Sequence, residues 1–310
     1  MPVVVASKAA VATKMDWCRC GRNLSNCGDL IGPYLYRKWQ GRSAVFCGTA
    51  RSPVGEPFYI TCGSNLNNNL TPKRSIVWGT GVMSKTIRLG KPKEVHAVRG
   101  KITQRVLQNA GIACPSVYGD PGLLMPLVYD PRKDAAADVD AAAQPTTAFR
   151  LGLLPHYVDY DDVRAQFADT ADNVIVIDLC RPLEQVIDDI VSCTHTLSSS
   201  LHGLVLSHAY SIPTAWAKTK AKLGGDNCKF PDHYSVFYDN YETLEPLKQM
   251  NEIESFVDTV AEIESYPQPD EPIDLTDLYD CCPFSPPRKD ETVRVLVGGW
   301  TPQKNDKEEE

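Results

Sequence analysis

The 310-residue chain has no stretch approaching the roughly 18 apolar residues that a membrane span requires. Its opening, MPVVVASKAAVATKMDW, is apolar, but Lys8 interrupts it and leaves neither a signal-peptide core nor an anchor. The expectation is a cytoplasmic chain with no integral membrane segment. Cysteine is plentiful, at 11 residues, yet its spacing has no pattern. Cys18 and Cys20 are one residue apart, Cys281 and Cys282 are adjacent, and the others are scattered. Paired C-x-x-C knuckles and Cys/His zinc spacings are therefore missing, and reduced thiols are expected in place of a disulfide framework. No Lys/Arg-rich run with interleaved aromatics occurs, and the sequence pI is 5.4, which argues against a dedicated nucleic-acid binder. WGTGV supplies two glycines after an apolar run but lacks the third of a dinucleotide fingerprint, so it is a weak match to a nicotinamide site.

What is present is the composition of a folded protein, with 43% hydrophobic, 23% charged and 8% aromatic residues. The length fits two domains of about 150 residues each. Net charge is −7, unevenly spread: residues 1–148 carry +10, residues 149–238 carry −4 and residues 239–310 carry −13. A basic front half can attract a small anion or an anionic polymer, although a merely solvated basic surface gives the same count.

The clearest boundary is PRKDAAADVDAAAQPTT, residues 131–147, where Ala, Asp and flanking prolines replace apolar periodicity and read as a linker. It divides an N-terminal α/β domain, residues 1–130, from a C-terminal one, residues 148–250. Residues 251–310 form a helical segment, with helical spacing over 252–264 that can pack back on the body, and a frayed tail. Within the first domain SAVFC, SIVWGTGV and EVHAV read as strands. In KITQRVLQNAG, Ile102, Val106 and Asn109 have helical spacing and Gly111 stands where a helix would be capped. Within the second, LGLLPH, NVIVIDL, THTLSSS and PTAWA alternate with PLEQVIDDIVSC and LHGLVLSHAY. Short apolar strands each followed by a helix demand a parallel sheet covered on both faces, so each half reads as an α/β unit. Ligands of open α/β sheets sit at the carboxyl ends of the strands.

Chemistry-bearing residues at those ends are few. Ser198, Ser199 and Ser200 follow a strand and precede an apolar helix, which places them as N-caps and His202 in the first helical turn, where free N–H groups favour an anion. His156 follows LGLLP, with Pro155 ending the ladder. Arg99 ends HAVRG, as an anion contact or as a partner for a carboxylate. In NCGD, Asn26 and Asp29 lie on a loop leading into a helix, with Asp29 a cap or a substrate contact. Gly119, Asp120 and Pro121 read as a tight turn. Lys229 opens KFPDHYSV, a short β-like run after the loop GGDN, as a phosphate contact or a surface lysine.

Taken in order, NCGDLIGPYL, WGTGV, VRGKITQRVLQNAGI, VYGDPGLLMP, LGLLPHYVD, the helix after DLCRP, SSSLHGLVLSHAYSIPTAW and KFPDHYSV resemble the polysaccharide pyruvyl transferase family. The resemblance implies two Rossmann-like domains in a glycosyltransferase-B-like arrangement with an interdomain cleft. It implies phosphoenolpyruvate as donor and two hydroxyls of a terminal hexose, on a glycan or lipid-linked oligosaccharide, as acceptor, joined as a pyruvate ketal with release of phosphate. Carried over residue by residue, it places His202 as the catalytic acid. Arg99, His156, Lys229, Ser199 and Ser200 then bind the donor, and Asn26 and Asp29 face the acceptor, with no metal and no cofactor. Some members carry arginine immediately before the Leu-His pair, whereas Ser200 stands there in this chain, so the donor anion falls to the remaining groups. A nucleotide-sugar-dependent glycosyltransferase of the same architecture and a non-catalytic carbohydrate- or anion-binding protein are the alternatives.

Overall fold

A computed structural model describes residues 13–19, 26–47, 56–67, 74–133, 150–168, 173–220, 224–288, 290 and 294–299. Two parallel sheets organise the chain. The first runs in the order β2 (Val45–Phe46), β1 (Lys14–Asp16), β3 (Phe58–Ile60), β4 (Ser75–Trp78), β5 (Glu94–Ala97). The second runs β7 (Val174–Val176), β6 (Leu151–Leu154), β8 (His195–Ser198), β9 (Thr214–Trp216). A two-stranded antiparallel ribbon, β10 (Ile273–Asp274) with β11 (Leu296–Val297), closes the described chain. Every residue of β4, β6, β8 and β9 is buried, because a parallel strand is covered on both faces and so reads as a continuous apolar run.

The helices follow from local signals. Helix α1 (Ile31–Gln40) buries Ile31, Leu35 and Tyr36 on one side. Helix α2 (Lys101–Asn109) buries Ile102, Thr103, Val106 and Leu107, and the stripe leaves Asn109 in solvent, a correction to the spacing read from sequence. Its end falls where expected: Gly111 adopts φ 70°, a left-handed conformation that a side chain disfavours. After the second sheet begins come α3 (Tyr160–Gln166) and α4 (Leu183–Val191), and then α5 (Leu201–Ala209), all nine residues of which are buried. A helix apolar all round belongs in the middle of a protein, and α5 lies between the second sheet and the 3-10 segment Pro121–Leu127 of the first half. One hydrophobic core consequently runs from Met15 and Ile31 through Leu124 to Leu204, Val205 and Val297. A separate core fills the opposite face of the second sheet, where Leu153 and Leu197 meet Val163 of α3 and Ile263 of α7 (Phe256–Glu264).

Several sequence expectations change. KFPDHYSV is a helix, α6 (Lys229–Tyr234), and not a β-like run. Asp226 Oδ1 accepts from Cys228 N at 3.1 Å at its entry, Phe230 and Tyr234 are buried one turn apart, and Pro231 falls in the first turn, where a missing N–H costs nothing. The helical reading of residues 252–264 resolves into a 3-10 turn, Met250–Glu252, and α7, which starts where Ser255 Oγ accepts from Asp258 N at 3.2 Å. GDPG opens the 3-10 segment and is not a bare turn. Strands β1 and β3 went unread because three residues each carry no measurable period. The last helix, α8 (Thr276–Asp280), packs on the first sheet: Trp78 Nε1 donates to Leu278 O at 2.9 Å, and the Phe284 ring meets Trp78, Tyr36 and Tyr59 edge-on with centroids 5.3–5.6 Å apart. Most of the 131–147 linker, and the tail 300–310, lie outside the described residues.

Candidate functional site

The turn from β8 into α5 is built from its serines. Ser198 Oγ accepts from Ser200 N at 3.1 Å and lies 3.1 Å from Leu154 O, tying the ends of neighbouring strands. Ser200 is the extended N-cap residue, but its side chain makes no capping bond to α5. His202 projects from the first turn of that helix. At the adjoining strand end, His156 N donates to Ser199 Oγ at 2.8 Å and the His156 ring lies tilted over Tyr157 at 4.3 Å.

The first half meets these residues through two loops. Asn26 Oδ1 accepts from Gly28 N at 3.0 Å, opening the 3-10 turn Cys27–Leu30. A Cβ on Gly28 would stand 1.9 Å from His202 Nδ1, so only glycine lets the imidazole seat against this backbone. Residues 63–65, after β3, form the second loop. Together the loops enclose a cleft of about 200 Å³. Asn26, Asp29, Ser64 and Asn65 line it from the first half, and His156, Tyr157, Ser200, His202 and Lys229 from the second. Residues as far apart in sequence as Asn26 and Lys229, 203 positions, thus share one wall.

The cleft is electrically unusual. His202 is only 7% exposed, and burial, then the charges of Lys229 and Arg99, push its pKa down to about 3. Burial and Lys229 push His156 down to about 4. Both rings are therefore neutral near pH 7 in the ligand-free chain. Behind His202 stands Asp120, fully buried, whose Oδ1 accepts from Gly122 N at 2.9 Å. Its Oδ2 lies 3.9 Å from His202 Nε2, and both atoms are buried without a hydrogen-bond partner. Burial raises the Asp120 carboxyl to about 6. The sequence offered Asp120 only as a turn residue; its signal, an Asp-Pro pair opening an apolar segment, says nothing about what its second oxygen faces.

Two residues expected at the donor, Arg99 and Ser199, do not line this cleft. Arg99 has no exposed surface. Its Nε donates to Asp232 Oδ2 at 2.9 Å, Nη1 to Ser64 Oγ at 2.7 Å and Nη2 to Val82 O at 2.7 Å. Asp232 also accepts from Thr103 N at 2.8 Å and Thr103 Oγ1 at 2.5 Å, so this pair clamps α6 onto the start of α2. Arg99 takes the carboxylate-partner reading and stands behind the loop wall, outside the cleft. Ser199 lines a neighbouring cavity of about 380 Å³ with Asp159, Lys218 and Lys220. Its hydroxyl is committed to His156 N because the β6 and β8 ends must be joined. Lys229 remains on the cleft wall, its Nζ 5.0 Å from the Phe230 ring.

Among the described residues no three His, Cys, Asp or Glu side chains are grouped to hold a metal ion, and no helix is long and apolar enough to cross a membrane. No disulfide joins the ten described cysteines, and burial raises eight of their thiols, Cys62 and Cys228 beside the cleft included, above the ordinary value.

Two parallel sheets flanked by helices, with His156 and His202 on the wall of one small cleft, define an α/β protein. The chain belongs to the polysaccharide pyruvyl transferase family, whose model matches residues 31–218, well over half of it. That match includes Arg99, Asp120, His156, Ser199, Ser200 and His202, and leaves Asn26, Asp29 and Lys229 outside. The uncharacterized protein L143 of Acanthamoeba polyphaga mimivirus is 29% identical over 229 residues, 71% of this chain and 75% of that protein. No solved structure matches.

Proposed function

We propose that the protein transfers the enolpyruvyl group of phosphoenolpyruvate to two hydroxyls of a hexose on a glycan, forming a pyruvate ketal and releasing phosphate, within a glycosyltransferase-B-like arrangement whose cleft lies between its halves. The observation that carries this reading is the meeting of His202, His156 and Lys229 with Asn26 and Asp29 around one cleft. A donor bearing phosphate and carboxylate needs cations and N–H groups as it leaves water. Lys229 supplies a charge, and the uncapped first turn of α5 beside Ser200 supplies donors. Asn26 and Asp29 have the amide and carboxylate chemistry that holds sugar hydroxyls.

The same anion explains how a neutral histidine becomes an acid. A negative charge brought within about 4–6 Å favours the protonated imidazole, so the donor loads the proton that His202 delivers. His202 gives it to the methylene carbon, generating an oxocarbenium-like centre. One hydroxyl attacks, forming a C–O bond and returning its proton to His202. The C–O bond to phosphate then breaks, phosphate leaves with the second hydroxyl's proton, and that hydroxyl closes the ring. Protons, bonds and charge balance without a redox partner, and general acid catalysis of this kind contributes typically 10²–10⁴-fold.

The deciding experiment measures phosphate released from phosphoenolpyruvate over a panel of terminal galactosides and glucosides. Release that depends on acceptor supports the transfer. Nucleoside diphosphate release from a sugar nucleotide, with none of phosphate, would replace it with a glycosyltransferase. Binding of glycosides with neither product would leave a carbohydrate-binding protein.

A further inference from the structure

We propose that Asp120 is the positioning residue for His202: it receives the imidazole Nε2–H and so stabilises the protonated ring from which the proton is given. This rests on the transfer reading above. The geometry that carries it is the pair of buried, unpartnered atoms, Asp120 Oδ2 and His202 Nε2, 3.9 Å apart. A buried polar atom left without a partner is costly, and native structures keep few of them. Here each orphan is the other's natural partner. A closure of under about 1 Å brings them within hydrogen-bond range, and it becomes favourable once the ring carries a proton.

The surroundings leave Asp120 to do this. Lys229 and Arg99 act on the His202 ring through their charge, and His233 of α6 feels a charge on that ring. Asp29 Oδ1 and His202 Cε1 both border Gly63, and Cys27 and Cys62 lie in the chain beside Gly28 and Gly63, while Asp120 itself feels Arg99, Asp232 and the backbone N–H groups of Gly122 and Gly63. The two cations oppose a proton on His202, and burial raises both thiols, keeping them neutral. Asp29 lines the open cleft, where a donor or acceptor competes for it. Asp120 is the carboxylate held against the ring out of reach of substrate, with Oδ1 fixed by Gly122 N. Of the two ring nitrogens, Nε2 is the one buried without a partner. Nδ1 is then the nitrogen that exchanges a proton with the donor, as the second nitrogen of a histidine takes its state from the hydrogen bond of the first.

The test is Asp120→Asn, which keeps the amide oxygen for Gly122 N and removes the charge, with Asp120→Glu beside it. The His202 imidazole is titrated by NMR with and without phosphoenolpyruvate and no acceptor, and steady-state rates are taken across pH. Asp120→Asn is expected to lower the His202 midpoint in the phosphoenolpyruvate complex by at least 1 pH unit. It should reduce kcat at least 100-fold with KM for phosphoenolpyruvate within about 3-fold, and displace the limb of the pH–rate profile. Asp120→Glu should restore part of kcat. An unchanged His202 midpoint or an unchanged profile in Asp120→Asn overturns the proposal. The titration also separates this failure from that of the transfer reading. If the wild-type chain releases no phosphate but Asp120→Asn still lowers the His202 midpoint, the couple stands and the substrate is wrong. Should Asp120→Asn not fold, the wild-type chain decides: the Asp120 carboxyl carbon and the His202 ring must report a shared inflection, and independent titrations refute the couple.

Discussion

Helix α5 carries two buried histidines, six residues apart, with opposite fates. Burial drives both pKa values down to about 3. His208 Nδ1 lies 3.0 Å from His233 Nε2 of α6, and its ring packs against His233, Tyr234 and Phe237. His202 has no hydrogen bond at Nε2; it has a facing carboxylate on one side and a cleft on the other. A low pKa alone therefore does not mark a catalytic histidine. What distinguishes His202 is that its side chain lines the cleft and that the Asp120 carboxylate faces its Nε2, whereas His208 and His233 form a neutral bond joining two helices.

The most severe test of this contrast is His202→Ala, expected to cost at least about 10³-fold in kcat while the melting temperature stays within a few degrees, since general acid catalysis supplies rate and not stability. Near-normal turnover would make the two histidines equivalent. Arg99→Met should lose about 3–5 kcal/mol in denaturant unfolding, because it strands the Asp232 carboxylate in a dry interior. Loss of donor affinity with full stability would instead return Arg99 to the donor site. Gly28→Ala drives a methyl into the His202 ring and is expected to lower kcat by about 10²-fold, comparable to a misplacement of about 1 Å in a reacting group, read against an unchanged far-UV spectrum. Changing the other histidine, His208→Phe, should cost about 1–3 kcal/mol by leaving His233 wholly unpartnered, with kcat unchanged.

The smallest effect sharpens the comparison through pH. His208 and His233 stay neutral in the fold, while the unfolded chain protonates them below 6.5. The unfolded state thus binds more protons between pH 6.5 and 4, and stability falls as pH drops through that window, by about 1.4 kcal/mol per pH unit for each such group. Asp16 and Asp120, both raised to about 6, act with the opposite sign: the native chain takes up their protons first, which offsets part of the loss. Melting temperatures from pH 7 to 5 should fall in the wild-type chain and fall less in a His208→Phe, His233→Phe variant. Parallel slopes would mean that the pair is solvated.

Much of the fold was legible. The runs around Val45, Val77, Val95, Leu153, Ile175, Leu197 and Ala215 all became parallel strands, because buried parallel strands declare themselves by continuous apolar sequence. Helices α1, α2, α4 and α5 declared themselves by apolar spacing or punctuation. Helix α6 did not, since Pro231 and six residues give no period, and β1 and β3 were too short to read. Of the site, His156, His202, Lys229, Asn26 and Asp29 were singled out and stand around one cleft. The surroundings of Asp120 and Arg99 were not legible, for one shared reason: they are set by distances to residues far along the chain.

By itself, then, the sequence settled residue chemistry, strand and helix periodicity and family membership, since these depend on which side chains occur and at what local spacing. Only the tertiary structure decided that Arg99 lies sealed behind a loop with Asp232, that Ser199 faces the neighbouring cavity, and that Asp120 stands against His202. Burial and charge act through space, and the contacts that set them join positions up to 133 residues apart.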